Sequence, residues 1–333
     1  MRVILIPGDG IGKEICESVK CINDVLYTPI VFEEYEAGAE YAEKSGKLFD
    51  DGLLDAIKDS KLALKGPTAT PIGKGFQSIN VQLRQYFHTY ANVRPIRSLE
   101  GIKSRYENVD LVIFRENSED LYLGVEMMKD ENTAQAMKII TRHASNRIIK
   151  EAFQYAKKHH RKKVTCIHKA NIMKMTDGLF LKEFQEVAQE YPDIVSEDCI
   201  VDAFCMKVVM NPKQFDVLVA PNLYGDIISD LCAGLVGGLG FAPSVNYGDE
   251  VRIYEAVHGS APDIAGKDEA NPTAILLSYG MLLEDIKEVE KANRLKEVIY
   301  ELIKEGKEVT KDIGGTLSCS AYTNALIERL KRI

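Results

Sequence analysis

The carboxylates Asp226 and Asp230 stand four residues apart in the run NLYGDIISD (222–230). On a helix that spacing is one turn, so both side chains face the same way. Two carboxylates so placed at the end of a strand suit a hard divalent cation, which prefers oxygen ligands. Taken alone, the pair equally describes a helix cap and a solvated helix residue. Three arginines, Arg84, Arg94 and Arg115, offer the opposite charge, each near the end of a predicted element. A guanidinium grips a carboxylate through two parallel hydrogen bonds, so the three together suit a tricarboxylate. Ser78 and Asn80, at the start of a predicted helix, add donors for a further carboxylate.

Periodicity shows which elements must hold these groups. Val217–Ala220 is a short apolar run of the kind expected for a buried strand. Pro221, Asn222 and Gly225 then break the chain, and it restarts as a helix with Asp226 at the N-cap or in the first turn. The glycine-rich tail to Gly240 lets the backbone pass close to something bulky. Near the start, residues 3–7 predict a strand, followed by GDGIG (8–12) and a helix from Lys13. This turn lacks the last glycine of a dinucleotide fingerprint and is given no direct role of that kind. Strands are expected at 29–35 and 62–64, before the loop KGPTATPIG (65–73), which is either a plain turn or a rigid functional loop. Arg115 follows the apolar run 111–114. A helix over 144–160 gathers Ile148, Ile149, Ala152, Phe153 and Ala156 on one side. Residues 164–167 form a strand leading to His168 and Lys169, a helix spans 175–190, and another begins at 200 and includes Asp202. Beyond Asn271 the chain reads as helices with a break at 312–316.

A chain of 333 residues exceeds the size at which one core stops growing, so two domains or lobes are expected. Lys plus Arg number 42 against 50 Asp plus Glu, a net charge of −8 that argues against non-specific nucleic-acid binding. The basic cluster 157–163 is then a solvated helix end. No apolar run is long enough to cross a membrane. The opening MRVILIPGDG is already strand-like, so no leader segment is expected. The seven cysteines are scattered without a C-x-x-C pair, which fits neither a disulfide framework nor a zinc cluster and makes a reducing cytoplasm the default.

Five strings occur in order: SINVQLR (78–84), RENSEDLY (115–122), HKANIMK (168–174), NLYGDIISD with GLVGGLG (222–230, 234–240), and HGSAPDIAG (258–266). With the opening turn they make the chain resemble the metal-dependent decarboxylating dehydrogenases of isocitrate, 3-isopropylmalate and homoisocitrate, over essentially its whole length. The resemblance implies an α/β, three-layer fold that is not a Rossmann fold. Residues 1–89 and 237–333 would form a large cofactor-binding domain. Residues 90–236 would form a small one, with a dimerisation arm at about 123–145 that is short for the family. Isocitrate members carry S-x-N-x-x-L-R, as here, whereas isopropylmalate members carry a glutamate and leucines in that helix. The resemblance thus implies NAD-dependent oxidative decarboxylation of isocitrate, a step of the tricarboxylic acid cycle. Homoisocitrate dehydrogenase, or a non-catalytic regulatory subunit of a hetero-oligomeric enzyme, is the alternative.

The same resemblance implies the roles. Tyr122 and Lys169 would be catalytic; Ser78, Asn80, Arg84, Arg94, Arg115 and Asn171 would bind substrate. Mg²⁺ or Mn²⁺ would sit on Asp226, Asp230 and Asp202, the last given by a second copy in a homodimer with shared active sites. Thr70 would lie near the nicotinamide, and His258, Gly259, Ser260, Ala261, Asp263, Ile264 and Asn271 would hold the adenosine end. NADP enzymes of the family tend to carry Lys-Tyr where Asp263 and Ile264 stand. A carboxylate accepts from a ribose 2′-hydroxyl and repels a 2′-phosphate, so NAD is expected.

Overall fold

The computed structural model describes residues 1–69 and 78–332. The chain begins with strand β1 (Arg2–Ile6), helix α1 (Gly12–Val25) and β2 (Val31–Glu34), then α2 (Ala39–Ser45), α3 (Leu53–Ser60) and β3 (Leu62–Lys65). From residue 78 on come α4 (Ile79–Tyr86), β4 (Ala91–Arg97), β5 (Asp110–Glu116) and a hairpin of β6 (Glu126–Asp130) and β7 (Thr133–Ala136). Next are α5 (Arg142–Lys158), β8 (Lys163–His168), α6 (Thr176–Ala188), β9 (Val195–Ile200) and α7 (Val201–Met210). The chain closes with β10 (Val217–Ala220), α8 (Asn222–Leu235), β11 (Pro243–Tyr247), β12 (Arg252–Ala256), α9 (Thr273–Asp285), α10 (Val289–Glu305) and α11 (Cys319–Arg332).

Local chemistry sets several of these boundaries. The Thr141 hydroxyl caps α5 by accepting from the Ala144 N–H at 3.2 Å, and the apolar side chains spaced three and four apart along this helix are buried. β10 reads VLVA and is buried throughout, as a strand flanked on both sides and covered on both faces must be. One expected boundary is displaced. The helix bearing Asp226 starts at Asn222, behind Pro221, so Asp226 lies in the second turn and not at the cap. Gly225 does not break the helix: it lies inside it because a Cβ there would come 2.6 Å from Cγ of Arg115. β4, β6, β7, β9, β11 and β12 are additions to the expected strands, and β9 is the hardest of them to read. Its sequence, VSEDCI, is mostly exposed at the sheet edge and carries no apolar signature.

Ten strands form one sheet in the order β2-β1-β3-β12-β11-β4-β5-β10-β8-β9. The first four are mutually parallel, as are the last four, and the β12–β11, β11–β4 and β4–β5 pairings between them are antiparallel. Alternate residues of each strand face opposite sides. On one side Val3, Leu5, Leu64, Val93, Phe114 and Val217 join a continuous apolar core with α1, α5, α6, α9, α10 and α11. On the other side the apolar cover is in two patches. Ile4, Ile6, Ala63 and Ile253 pack with α3 and α4, whereas Ile96, Ile113, Leu218 and Ala220 pack with α7 and α8. Between these patches the same face turns polar, and the charged groups singled out above gather there.

Candidate active site

Cross-strand register builds the polar strip. Lys65 pairs with Glu255, Asn246 with Asn92, and Asn92 with Arg115. Each is buried, so each must find a partner within the protein. Glu255 receives Lys65 Nζ at 3.0 Å, the Asn246 amide at 2.7 Å and Arg84 Nη2 at 3.5 Å. Burial alone would raise its carboxyl pKa, but the Lys65 and Arg84 charges and the Asn246 hydrogen bond lower it to about 2. Asn92 donates to Asn246 Oδ1 at 3.0 Å and accepts from Arg94 Nε at 2.6 Å, which carries the strip to Arg94. Lys65, Asn92, Asn246 and Glu255 are site residues that the sequence motifs do not single out. The one hint is a polar residue inside each of four otherwise strand-like runs.

At the far end of the strip, Arg94 and Arg115 meet the carboxylates of α8. Arg94 Nη1 lies 2.6 Å from Ser229 Oγ and 3.3 Å from Asp230 Oδ1, and Nη2 lies 3.6 Å from Asp226 Oδ1. Arg115 donates to Asp226 and, at 3.0 and 2.8 Å, to Asn222 Oδ1. The Tyr122 hydroxyl donates to Asp226 Oδ2 at 2.6 Å, and its ring stacks under the Arg115 guanidinium, 4.8 Å from the centroid. Burial opposes the charge of Asp226, but Arg115, the Tyr122 hydrogen bond and Arg94 outweigh it and hold the carboxyl below its ordinary pKa. Asp230 is shifted upward, by burial and by repulsion from Asp226, with Arg94 opposing. Burial first, then the neighbouring Arg84 and Arg94 charges, pull Arg115 down from the usual guanidinium range, though it stays charged at neutral pH. Tyr122 is pushed upward by burial and by donating to Asp226, so it holds its proton.

The remaining expected residues fall in three places. Ser78 is the residue before α4, and its hydroxyl makes no capping bond; Asn80 Oδ1 accepts from Thr68 at 3.3 Å. Lys169 follows β8 and pairs with Asp202, in the first turn of α7, rather than with Asp226 or Asp230; Asn171 is exposed in the turn after β8. In the third place, Ser260 O accepts from Ile11 N at 2.9 Å, joining the opening turn to the 258–264 loop. Asp9 ties that turn to the loop after β3, accepting from Ala69 N at 2.7 Å. His258 is half-buried, and desolvation lowers its pKa; Nδ1 faces Gly259 O at 3.0 Å, and Nε2 has no partner among the described residues. Ala261 adopts φ +40°, Gly259 and Asp263 are exposed, and Ile264 leans on the core. The Asn271 side chain bonds Asp312 at 3.0 Å and the Thr273 N–H at 3.0 Å. Thr70 lies outside the described residues.

The donor set fits a hard divalent cation in part. Asp226 and Asp230 offer oxygens one turn apart with two guanidiniums beside them, a pairing that could re-sort so that carboxylates take a cation and arginines an anionic ligand. Among the described residues no three acidic, histidine or cysteine side chains converge, so Asp226 and Asp230 are the two carboxylates this region of the chain offers a cation.

The family model described as isocitrate/isopropylmalate dehydrogenase matches residues 2–326. The chain is 52% identical over 327 residues to the mitochondrial isocitrate dehydrogenase [NAD] catalytic subunit 5 of Arabidopsis thaliana, covering 98% of this chain and 87% of that one. It is 49% identical over 330 residues to a mitochondrial isocitrate dehydrogenase [NAD] regulatory subunit of Dictyostelium discoideum, covering 99% and 92%. It is also 52% identical over 308 residues to the chloroplastic 3-isopropylmalate dehydrogenase of Solanum tuberosum, covering 92% and 86%. Among solved structures, the isocitrate dehydrogenase of Methylococcus capsulatus superposes with a TM-score of 0.96 at 44% identity, covering 99% of each chain.

Proposed function

The chain belongs to the isocitrate/isopropylmalate dehydrogenase family, and from that premise we propose that it catalyses the NAD-dependent oxidative decarboxylation of isocitrate to 2-oxoglutarate and CO₂. The observation that supports this most directly is the meeting of Asp226 and Asp230 with Arg94 and Arg115 beside Tyr122. A dication and a tricarboxylate present the complementary charges. Mg²⁺ or Mn²⁺ would be held by Asp226 and Asp230 of one chain and Asp202 of a second. When bound, such an ion supplies positive charge that acidifies a neighbouring hydroxyl and steadies developing negative charge on oxygen.

Arg84, Arg94 and Arg115 neutralise the substrate carboxylates, and the Ser78 hydroxyl, which makes no capping bond to its helix, with Asn80 selects the distal one. Lys169 of the second chain, which pairs there with Asp202, takes the proton from the substrate hydroxyl as the nicotinamide accepts hydride. Tyr122, whose proton is held firmly, returns one to the carbon that loses CO₂. Polar groups in α4 favour isocitrate over isopropylmalate, which needs an apolar pocket. Homoisocitrate is one methylene longer, a difference worth only about 1–3 kcal/mol, and homoisocitrate dehydrogenase is the alternative enzyme reading. A purely regulatory role fits less well, because Tyr122, Lys169, Asp226 and Asp230 are all present.

The reading includes the domain division at 1–89 with 237–333 and 90–236, in line with a sheet order that groups β1, β2, β3, β11 and β12 apart from β4, β5, β8, β9 and β10. It also includes a homodimer. Met127 and Met128 on the hairpin and Ile172, Met206, Met210 and Ile227 near α7 and α8 are exposed apolar side chains that a second copy would cover. Seven unpaired cysteines suit a reducing compartment, and the cytoplasm is retained as the expectation, to be tested by cell fractionation.

The test is the purified chain assayed alone with isocitrate, homoisocitrate and isopropylmalate, each with NAD and NADP and with Mg²⁺ or Mn²⁺. Turnover of isocitrate with NAD is expected to dominate. No reduction of NAD with isocitrate would sink the reading, and preference for isopropylmalate would overturn the assignment of Ser78 and Asn80.

A further inference from the structure

Outside the residues already assigned, the most deeply buried charge cluster near the site is Lys138 with Asp120 and Asp177. Both carboxylates are fully buried and the lysine side chain is 7% exposed. Lys138 Nζ lies 2.6 Å from Asp177 Oδ1 and 3.8 Å from Asp120 Oδ1, with the Tyr224 ring centroid 4.3 Å away. Charges this deep persist only when paired and hydrogen-bonded, so the geometry of one member fixes the others.

Each carboxylate spends its other oxygen, or a further bond, on a segment carrying a reacting group. Asp177 Oδ2 accepts from the backbone N–H of Lys169 at 2.7 Å. Asp120 stands two residues before Tyr122, and its Oδ2 accepts from Leu223 N at 3.0 Å in the first turn of α8, which bears Asp226. Asp120 holds φ +74°, a left-handed backbone that a non-glycine residue adopts only when its surroundings enforce it, and its Oδ1 accepts from Leu121 N at 2.8 Å. Its own N–H donates to Ile139 O at 2.9 Å, next to Lys138. Lys138 itself stands between β7 and α5, where the chain leaves the exposed hairpin. It makes no ion pair with Asp226, Asp230 or Asp202.

We propose that Lys138 is a positioning residue that ties the Tyr122–Asp226 half-site to the Lys169 half-site of the same chain. This rests on the shared-site reading above, in which those halves serve two different active sites of a dimer. Lys138 is then the link through which the geometry of one active site constrains the other, and it sits at the base of the hairpin that the second copy would cover.

The test uses purified mixed dimers carrying two different affinity tags. The control pairs a Lys169→Met chain with an Asp226→Asn chain. One site then takes Tyr122 and Asp226 from the first chain and Lys169 from the second, and activity should be about half that of the parental dimer, one site of two. Adding Lys138→Met to either chain should lower that activity about tenfold or more, since it misplaces one half or the other. Asp120→Asn should cost more in the chain giving Tyr122, and Asp177→Asn more in the chain giving Lys169. A silent control overturns the shared-site reading and the coupling with it. An active control left undiminished by Lys138→Met in either chain overturns the coupling alone. Should Lys138→Met fail to fold, the two isosteric asparagine variants decide: equal loss whichever chain holds them means general destabilisation and overturns the proposal.

Discussion

The two faces of the sheet solve the problem of burial in opposite ways. Under α1, α5, α6, α9, α10 and α11 the apolar core runs without interruption from Val3 to Val217. On the other face it divides into a patch under α3 and α4 and a patch under α7 and α8, with Lys65, Glu255, Asn246, Asn92, Arg94 and Arg115 between them. The unbroken face holds the strands together. The divided face gives up apolar contact along one strip and gains a line of charge aimed at α8. Within that strip a further difference matters. Glu255 is enclosed, its side chain 7% exposed, whereas Asp226 and Asp230 are 36% and 57% exposed.

The sharpest way to separate the faces is Phe153→Ala, which removes a fully buried ring stacked on Tyr191 at 5.0 Å. Stability should fall by about 3–5 kcal/mol in denaturant titrations, while kcat of the folded fraction stays within about twofold. Asp230→Asn should do the reverse. Its kcat/KM should fall roughly 10²–10³-fold, with Mn²⁺ affinity falling too, while the melting temperature holds because Asp230 is half-exposed and repelled by Asp226. A melting loss like that of Phe153→Ala would show that Asp230 is structural.

Glu255→Gln tests the enclosed part of the strip. Its carboxyl pKa is held down at about 2, so the stability it gives is complete above its unfolded value and is lost as pH falls through the folded one. The glutamine variant should be less stable by about 3 kcal/mol near neutrality and should converge with the parent between pH ~4.5 and ~2. Parallel curves across that range would remove Glu255 from the account of acid stability. The smallest effect lies at the periphery. Asp263→Lys with Ile264→Tyr should erode an NAD preference of at least about tenfold, roughly 1.4 kcal/mol, measured as the ratio of kcat/KM for NAD and NADP.

Much of the divided face is legible in the sequence because its candidate site residues sit in short strings: SINVQLR, RENSEDLY and NLYGDIISD place Arg84, Arg115, Tyr122, Asp226 and Asp230, which the fold brings to one strip. What is not legible depends on partners far apart in sequence. Lys65 and Glu255 are 190 positions apart and meet only through the β3–β12 register. Lys138, Asp120 and Asp177 come from three separate segments, and no spacing rule connects them. Local propensity makes Gly225 a breaker, whereas its absent Cβ makes room for Arg115 inside the helix. β9 escapes a reading by pattern because an edge strand facing water has little apolar periodicity.

The place of β12 has a consequence for the order in which the chain is made. Residues 252–256 insert between β3 and β11, and β11 in turn bonds β4. A nascent chain that has left the ribosome through Ala220 already contains β4, β5, β8, β9 and β10 and can pair them, whereas β3 keeps a bare edge until Ala256 emerges. Synthesis proceeds at about 5–20 residues per second, so that edge waits for about ten seconds or more after β3 itself is made. An uncovered strand reading LALK is a template for wrong pairing. Among the paired strands, the β3 edge of the N-terminal β1–β3 unit therefore waits longest for its cover, a strand made nearly two hundred residues later.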